Sequence, residues 1–182
     1  MKTAPADSES KQVFVHEFDP SDPAKTFLEW DTFDPMVSLI LTNSKGEIAT
    51  FDDRDGPKIA CLPEGNIRRK TQGSNYESVQ GAAQYAAGFD LPAVRILGGS
   101  VASTTAIRGV GPKLYVPMWG QAPENIGEDN GVKPKWMQQF NLVWRNVPDC
   151  LGVLDTQAVK QRHNGSQRRD ITRFTIHAFL NA

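Results

Sequence analysis

Fifteen glycines and twelve prolines are spread through the 182 residues, and they limit what this chain can fold into. Proline fixes φ and removes a backbone donor, and glycine favours turns, so long uninterrupted helices are not expected. Between these breaks, apolar side chains tend to alternate with polar ones. A period of two is typical of β-strands with one buried face. The chain is therefore predicted to be mostly β.

The first half contains the clearest predicted hairpin. Residues 36–42 predict a core strand, and residues 47–52 predict its antiparallel mate. Gly46, in the loop between them, suits a positive φ. A further short strand is predicted over residues 58–62.

One helix is predicted, over residues 75–87. Ser74 and Glu77 match a capping box, in which each side chain satisfies a free amide at the helix start. Small apolar residues, mainly alanine, then follow at helical spacing, and Gly88 suits a left-handed C-terminal stop. The prediction is a short alanine-rich helix that can pack close to a sheet.

Strands are also predicted over residues 93–97, 101–108 and 113–119. Pro117 would interrupt a ladder of hydrogen bonds, so the last of these is expected at a sheet edge or in a bulge. Residues 136–145 fit both a strand and a helix, and we favour a strand. A long polar loop, residues 121–134, is expected to be mobile or part of a contact.

The C-terminal part is predicted to be a hairpin. Residues 150–161 and 171–180 both fit strands, and Asn164 with Gly165 forms a strong turn pair between them. Apolar side chains alternate from Phe174 to the end of the second strand, as in a half-buried antiparallel sheet.

Together these elements predict about nine strands and one clear helix, without a repeated βαβ rhythm. The predicted fold is an antiparallel β-sandwich, a jelly roll or a barrel, with one short helix at about 75–87. Residues 1–10 are polar and predict a disordered N-terminal arm, and residues 11–182 predict a single β-rich domain.

Common catalytic and metal-binding signatures are missing from the sequence. His16, His163 and His177 have no second His or Cys at the spacing of a zinc site. Asp53–Gly56 lacks the flanking acids of a calcium loop, and the glycines before Ser100 do not form a nucleophile elbow. We therefore predict no catalytic residues, no metal and no cofactor, although scattered residues can still assemble an active site on folding.

One constellation rises above this background, and it is basic. Six residues crowd around the predicted C-terminal hairpin: Lys160, Arg162, His163, Arg168, Arg169 and Arg173. Arginine suits phosphate and carboxylate groups, so these residues are candidates for binding nucleic acid or another anion. A solvated tip and a contact with another subunit are the alternative interpretations.

The two cysteines, Cys61 and Cys150, do not form a CxxC pair and are predicted to be free, buried thiols. The first ten residues lack the apolar core of a signal peptide, and no apolar run reaches the roughly 20 residues of a membrane span. We therefore expect a cytoplasmic protein, or one assembled inside a host cell, that is not secreted through a signal peptide and has no membrane partner.

Charge is distributed unevenly along the chain. Residues 1–56 hold 12 acidic and 5 basic side chains, a balance of −7, whereas the net charge of the whole chain is −1. Such opposite balances can bring subunits together, so a homo-oligomer is expected.

The leading hypothesis for function is a non-enzymatic structural protein, a self-associating subunit such as a virus-type shell or decoration protein. One alternative is a β domain that binds nucleic acid through the basic residues. Another is an enzyme with an unrecognised small-molecule pocket.

Overall fold

The computed structural model describes residues 13–16, 34–66, 79–91, 93–97, 100–103, 113–138, 140–162 and 168–182. In chain order, the strands are β1 (Val13–His16), β2 (Asp34–Thr42), β3 (Ile48–Asp53), β4 (Glu64–Asn66), β5 (Val94–Ile96), β6 (Ser100–Ser103), β7 (Lys113–Gln121) and β8 (Phe140–Arg145). The helices are α1 (Val79–Ala87), α2 (Val147–Leu154), α3 (Gln157–Arg162) and α4 (Arg168–Leu180), and a 3₁₀ turn covers Lys135–Gln138.

The strands form one mixed sheet in the order β1-β6-β7-β2-β3-β8, with β4 also paired to β2 and β5 also paired to β7. β2 and β7 run parallel, in a register that extends from Asp34 opposite Lys113 to Thr42 opposite Gln121. The other pairings between the described strands are antiparallel. The prediction of an antiparallel sandwich, jelly roll or barrel is therefore wrong.

β2 is buried on both faces, which explains its nearly unbroken apolar sequence. Val37, Leu39 and Leu41 belong to one core cluster, whereas Ile40 belongs to a second. Because successive side chains of a strand point to opposite faces, this central strand separates two cores. The fold therefore has three layers, with helices on both sides of the sheet.

α1 covers the first face of the sheet. Its small side chains share a core cluster with buried residues of β2 and β7: Ala82, Ala83, Ala86 and Ala87. A Cβ built on Gly65 of β4 would lie 2.9 Å from the Ala86 Cβ, so glycine is needed for this close approach. The predicted helix is confirmed over Val79–Ala87, and Gly88 ends it with a φ of 81°. Its predicted cap at Ser74 lies outside the described residues.

The C-terminal helices cover the second face. Cys150 and Leu154 of α2, Val159 of α3 and Ile176 of α4 share a core cluster with Ile40 of β2. The Thr175 hydroxyl of α4 also lies 3.0 Å from the Ser38 hydroxyl. The predicted strands over residues 150–161 and 171–180 are thus wrong, and the predicted turn at Asn164 and Gly165 lies outside the described residues.

Helical burial in α4 explains this error. Ile171, Thr172, Thr175 and Ile176 are buried, whereas His177 and Leu180 are exposed. Positions i, i+1, i+4 and i+5 share one face of a helix, and they outweigh the alternation seen from Phe174 onward. β-branched residues favour strands only weakly, and packing against the sheet overrides that preference.

Pro117 occupies the interior of the sheet, contrary to the predicted edge or bulge. β6 pairs with residues 113–115 of β7 and β5 pairs with residues 118–120, so Pro117 faces the junction between these two short strands. Its carbonyl accepts a hydrogen bond from the Leu97 amide at 2.9 Å on that side. The N–H and C=O of one strand residue point the same way, so the missing donor disturbs no bond to β2.

Most other predicted strands are found at about the predicted places. The strand over residues 36–42 is confirmed as part of β2, and residues 140–145 form β8 after a 3₁₀ turn. Residues 58–62 form no strand, only an isolated bridge between Phe51 and Cys61. Ala60 has a φ of 50° there, which interrupts an extended conformation. The predicted arm, residues 1–10, lies outside the described residues.

Candidate functional site

The parallel pairing of β2 and β7 brings the carboxyl ends of two strands to one edge of the sheet. Thr42 and Gln121 are paired there, and the Ala122 amide donates a 2.9 Å hydrogen bond to the Thr42 carbonyl. In open α/β sheets, ligands bind in crevices outside the carboxyl ends of parallel strands. A ligand site is therefore expected at this edge of the sheet.

A cavity of about 640 Å³ opens at this edge, and we call it the carboxyl-end cleft. Two loops form its walls, residues 43–45 after β2 and residues 121–128 after β7. Its polar lining includes Asn43, Lys45, Gln121, Glu124, Asn125 and Glu128. Volumes of this order accommodate a small molecule.

The turn after β2 is held by Asn43. Its Oδ1 accepts hydrogen bonds from the amides of Lys45 at 3.0 Å and Glu47 at 2.9 Å, and its Nδ2 donates to Glu47 Oε1 at 3.1 Å. Gly46 has a φ of 76°, which confirms the predicted positive φ. Lys45 therefore extends from a fixed backbone.

The loop after β7 is anchored by Ile126, which is 6% exposed and packs into the core cluster beside α1. Turn hydrogen bonds fix the backbone around it, including one of 2.8 Å from the Gly127 amide to the Val132 carbonyl. The loop is thus tied to the core and contributes one wall of the cleft.

A half-buried tryptophan, Trp144 of β8, borders the carboxyl-end cleft and also a second cavity of about 510 Å³. We call the second one the Arg145 cavity. It is lined by Lys58, Val143, Arg145 and Pro148 among others, with Asp149 and Val153 from α2. The Trp144 indole packs against the core cluster on the α1 side of the sheet, so it offers a flat apolar face to a molecule bound in the carboxyl-end cleft.

A buried ion pair stands beside the Arg145 cavity. Arg145 Nη2 lies 2.5 Å from Asp52 Oδ2, Arg145 Nη1 lies 3.1 Å from Asp52 Oδ1, and the two side chains are 7% and 9% exposed. Arg145 Nη1 also donates to Thr50 Oγ1 at 2.6 Å, and Thr50 in turn donates to the Val143 carbonyl at 2.7 Å. The network fixes β3 against β8.

Asp52 also receives two backbone hydrogen bonds. The amides of Ile59 and Ala60 both donate to its Oδ1 at 3.0 Å. Burial alone would raise the pKa of Asp52, but the hydrogen bonds from Arg145, Ala60 and Ile59 and the charge of Arg145 outweigh it. The pKa of Asp52 is therefore lowered, and this carboxylate is ionised at neutral pH.

Both cysteines are free and buried, as predicted. Burial raises the pKa of the Cys150 thiol to about 11. A thiol in this state is protonated at neutral pH and is a poor nucleophile. Cys150 therefore serves the core rather than chemistry.

The basic residues do not form the predicted hairpin tip. Lys160 and Arg162 lie on α3 and the three other arginines on α4, whereas His163 lies outside the described residues. Arg173 forms an ion pair with Asp155, and Arg169 lies 4.0 Å from Asp170. Their predicted binding to nucleic acid or another anion is not tested by this geometry and stays a prediction.

The sequence analysis missed Asp52, Arg145, Trp144 and the polar groups of the cleft as site candidates. The sequence gives one signal for Arg145, because this charged residue ends the largely apolar segment that forms β8. Asp52 carried none, since its partner lies 93 residues away.

The described residues contain neither a metal-binding cluster nor a membrane-spanning helix. No group of three or more His, Cys, Asp or Glu side chains is placed to hold a metal ion in this part of the chain. No helix in the same ranges has both the length and the apolarity to cross a bilayer.

Comparison with known proteins gives likenesses to solved structures. No family model matches the chain, and no curated protein matches it. Similar solved structures include a NUDIX hydrolase from Nitrosomonas europaea, with 14% identity and a TM-score of 0.49 over 82% of this chain and 89% of that chain. They also include a MutT protein from Methanosarcina mazei Go1, with 14% identity and a TM-score of 0.47 over 80% of this chain and 94% of that one. A likeness of this degree does not extend to activity.

The leading hypothesis of a virus-type shell or decoration protein is corrected by the observed fold. It rested on an antiparallel sandwich or jelly roll, whereas the described strands form a mixed sheet between helices.

Proposed function

We propose that the protein is an enzyme that acts on a small polar molecule held in the carboxyl-end cleft. The observation that carries this proposal is the parallel pairing of β2 and β7, which places two structured polar loops at one sheet edge around a cavity of about 640 Å³. This is the position at which α/β sheets bind their ligands.

The lining of the cleft defines the class of molecule. Its charged side chains are Lys45, Glu124 and Glu128, so positive charge is not in excess and a polyphosphate is not favoured. Asn125 offers both donors and acceptors, whereas the Asn43 oxygen already accepts two hydrogen bonds in its turn, and Trp144 offers a flat apolar surface. A neutral or cationic molecule with a planar group and several polar atoms fits these features.

The same side chains supply the candidates for chemistry. Glu124 and Glu128 are exposed carboxylates that can accept or return a proton, and Lys45 can hold a group that becomes negative. The reaction class consistent with this set is general acid–base chemistry on the bound molecule.

Ligand binding can be mapped by amide chemical shifts in a ¹⁵N-labelled sample, screened against nucleosides, sugars and aromatic amines. We expect binders to shift the amides of residues 43–47 and 121–128. Screening in which no compound of these classes binds, or in which the shifts cluster away from both loops, would overturn the proposal.

Substitutions of residues that line the cleft test whether the ligand binds there rather than elsewhere on the protein surface. Lys45→Ala combined with Asn125→Ala should weaken binding about tenfold, since each lost hydrogen bond contributes about 0.5–1.5 kcal/mol. Lys133→Ala is the matched control, because Lys133 is exposed and does not line the cleft.

Glu124→Gln with Glu128→Gln should abolish turnover of a bound substrate while binding persists; unchanged turnover would exclude the acid–base role.

Other predictions about partners and location stay open proposals. Two free, buried thiols support a reducing compartment such as the cytoplasm. A homo-oligomer is supported only by the uneven charge of the chain. Nucleic-acid binding predicts that Arg168→Ala with Arg169→Ala weakens retention on duplex DNA and lowers its salt dependence, and unchanged retention would end that idea.

A further inference from the structure

The guanidinium of Arg145 is only partly used by its protein partners. Nη1 donates its two N–H groups to Thr50 Oγ1 and Asp52 Oδ1, and Nη2 donates one N–H group to Asp52 Oδ2. Asp52 thus occupies the end of the fork formed by the two terminal nitrogens. Within the described part of the chain, the Nε–H and the second N–H of Nη2 have no partner.

These two N–H groups point along the same side edge of the planar guanidinium, parallel to each other. Arg145 is 6% exposed, and an unpaired donor at such a depth costs about 1–3 kcal/mol unless water or a ligand accepts from it. The geometry of two parallel donors matches the two oxygens of one carboxylate.

We propose that the Arg145 cavity is a binding site for a small monocarboxylate with an aromatic or apolar body. The carboxylate would accept from the free side edge of Arg145, and the exposed Lys58 at the same cavity would add a second positive charge. The site is separate from the carboxyl-end cleft and does not depend on the function proposed for that cleft.

The walls of the cavity set the size and charge of the ligand. Val143, Pro148 and Val153 give apolar surface, which favours a ring or a short alkyl group. Asp52 is already neutralised by Arg145, whereas the exposed Asp149 adds a negative charge at the rim. Lys58 and Asp149 offset each other, so the two parallel donors of Arg145 select one carboxylate, and a second negative charge on the ligand would be repelled by Asp149.

Benzoate is the probe, and benzamide is its neutral counterpart of nearly the same shape. Titration of the ¹⁵N-labelled full chain should show saturable shifts of the Arg145 Nε–H and of the amides of residues 149–156, with benzamide binding at least tenfold more weakly. Absence of saturable benzoate binding, or equal binding of benzamide, would overturn the proposal.

Two variants and a control complete the experiment. Lys58→Gln should weaken benzoate binding about two- to fivefold, since an exposed charge contributes little. Arg145→Lys should weaken it more than tenfold, because an ammonium cannot present two parallel donors. Lys133→Gln is the matched control, and it should bind benzoate as the unaltered chain does.

Arg145→Lys also weakens the pairing with Asp52, so its folding must be checked by the dispersion of its amide spectrum. The Lys58→Gln variant changes only an exposed side chain and keeps the test valid if Arg145→Lys fails to fold. Equal benzoate affinity in the unaltered chain and in Lys58→Gln would contradict the placement of the site.

Discussion

At the scale of single residues, the buried pair of Asp52 and Arg145 joins two strands that are distant in sequence. Each ion is removed from water, and the pair is compensated by the amides of Ile59 and Ala60 and by the Thr50 hydroxyl. Removal of one partner leaves the other buried and uncompensated. Sequence patterns identify neither the pair nor its compensation, because both depend on the register of β3 with β8.

Asp52→Asn should destabilise the protein by about 3–5 kcal/mol at neutral pH, because it leaves the Arg145 charge buried without a counter-ion. Urea denaturation measures this change. Since the pKa of Asp52 is lowered in the folded state, its contribution is present above the unfolded value of about 4 and is lost as pH falls through the folded value. The difference in free energy of unfolding between the unaltered chain and Asp52→Asn should therefore narrow below about pH 4.

The exposed ion pair of Arg173 with Asp155 is the natural control for that variant. Arg173→Ala should cost no more than about 1 kcal/mol, because water screens an exposed pair. If Asp52→Asn and Arg173→Ala lowered the free energy of unfolding by similar amounts, the stabilising role of the buried ion pair would be contradicted.

Cys150 gives a second pH-dependent prediction. Its thiol has a pKa raised to about 11 in the folded state, whereas an unfolded thiol ionises near pH 8.5. The stabilisation that this pKa difference gives the folded state is fully present below about pH 8.5 and is lost as pH rises toward 11. Between about pH 8 and pH 10, the free energy of unfolding of the unaltered chain should fall by about 1–2 kcal/mol more than that of Cys150→Ala, as measured by urea denaturation. Parallel curves for the two proteins would contradict the prediction.

At the scale of elements, the sequence predicted α1 and the central strand well and the C-terminal helices badly. α1 has small residues at helical spacing and a glycine stop, and both features are local. α2 also had a local signal, because Asn146 caps it and Pro148 lies in its first turn. Proline is common in the first turn of a helix, and the predicted strand over residues 150–161 overlooked this signal.

The packing of α1 on β4 can be tested with two glycine variants. Gly65→Ala should cost about 1–3 kcal/mol, because its Cβ would lie 2.9 Å from the Ala86 Cβ and 3.0 Å from the Ala82 carbonyl oxygen. Gly152→Ala is the matched control, since a Cβ there meets nothing within 4 Å and alanine favours the helix. Thermal unfolding should show the first variant destabilised and the second unchanged or stabilised; equal melting temperatures would refute the close contact.

At the scale of the whole molecule, the failed prediction was the arrangement of strands. A parallel pair is normally indicated by a repeated βαβ pattern, but here β3, β4, α1, β5 and β6 all lie between β2 and β7 in the chain. The nearly unbroken apolar sequence from Met36 to Leu41 was the available signal, because strands covered on both faces show such sequences. Everything proposed for the carboxyl-end cleft depends on the parallel pairing.

Nuclear Overhauser contacts between β2 and β7 test this claim most directly. Parallel strands place Leu39 opposite Met118 and Thr42 opposite Gln121, with slanted, evenly spaced hydrogen bonds and without the close Hα–Hα pairs of antiparallel strands. We predict amide-to-Hα contacts that advance in the same direction along both strands, and chemical shifts of helix over residues 147–154 and 168–180. Strong Hα–Hα contacts that advance in opposite directions along the two strands would contradict the fold and the cleft together.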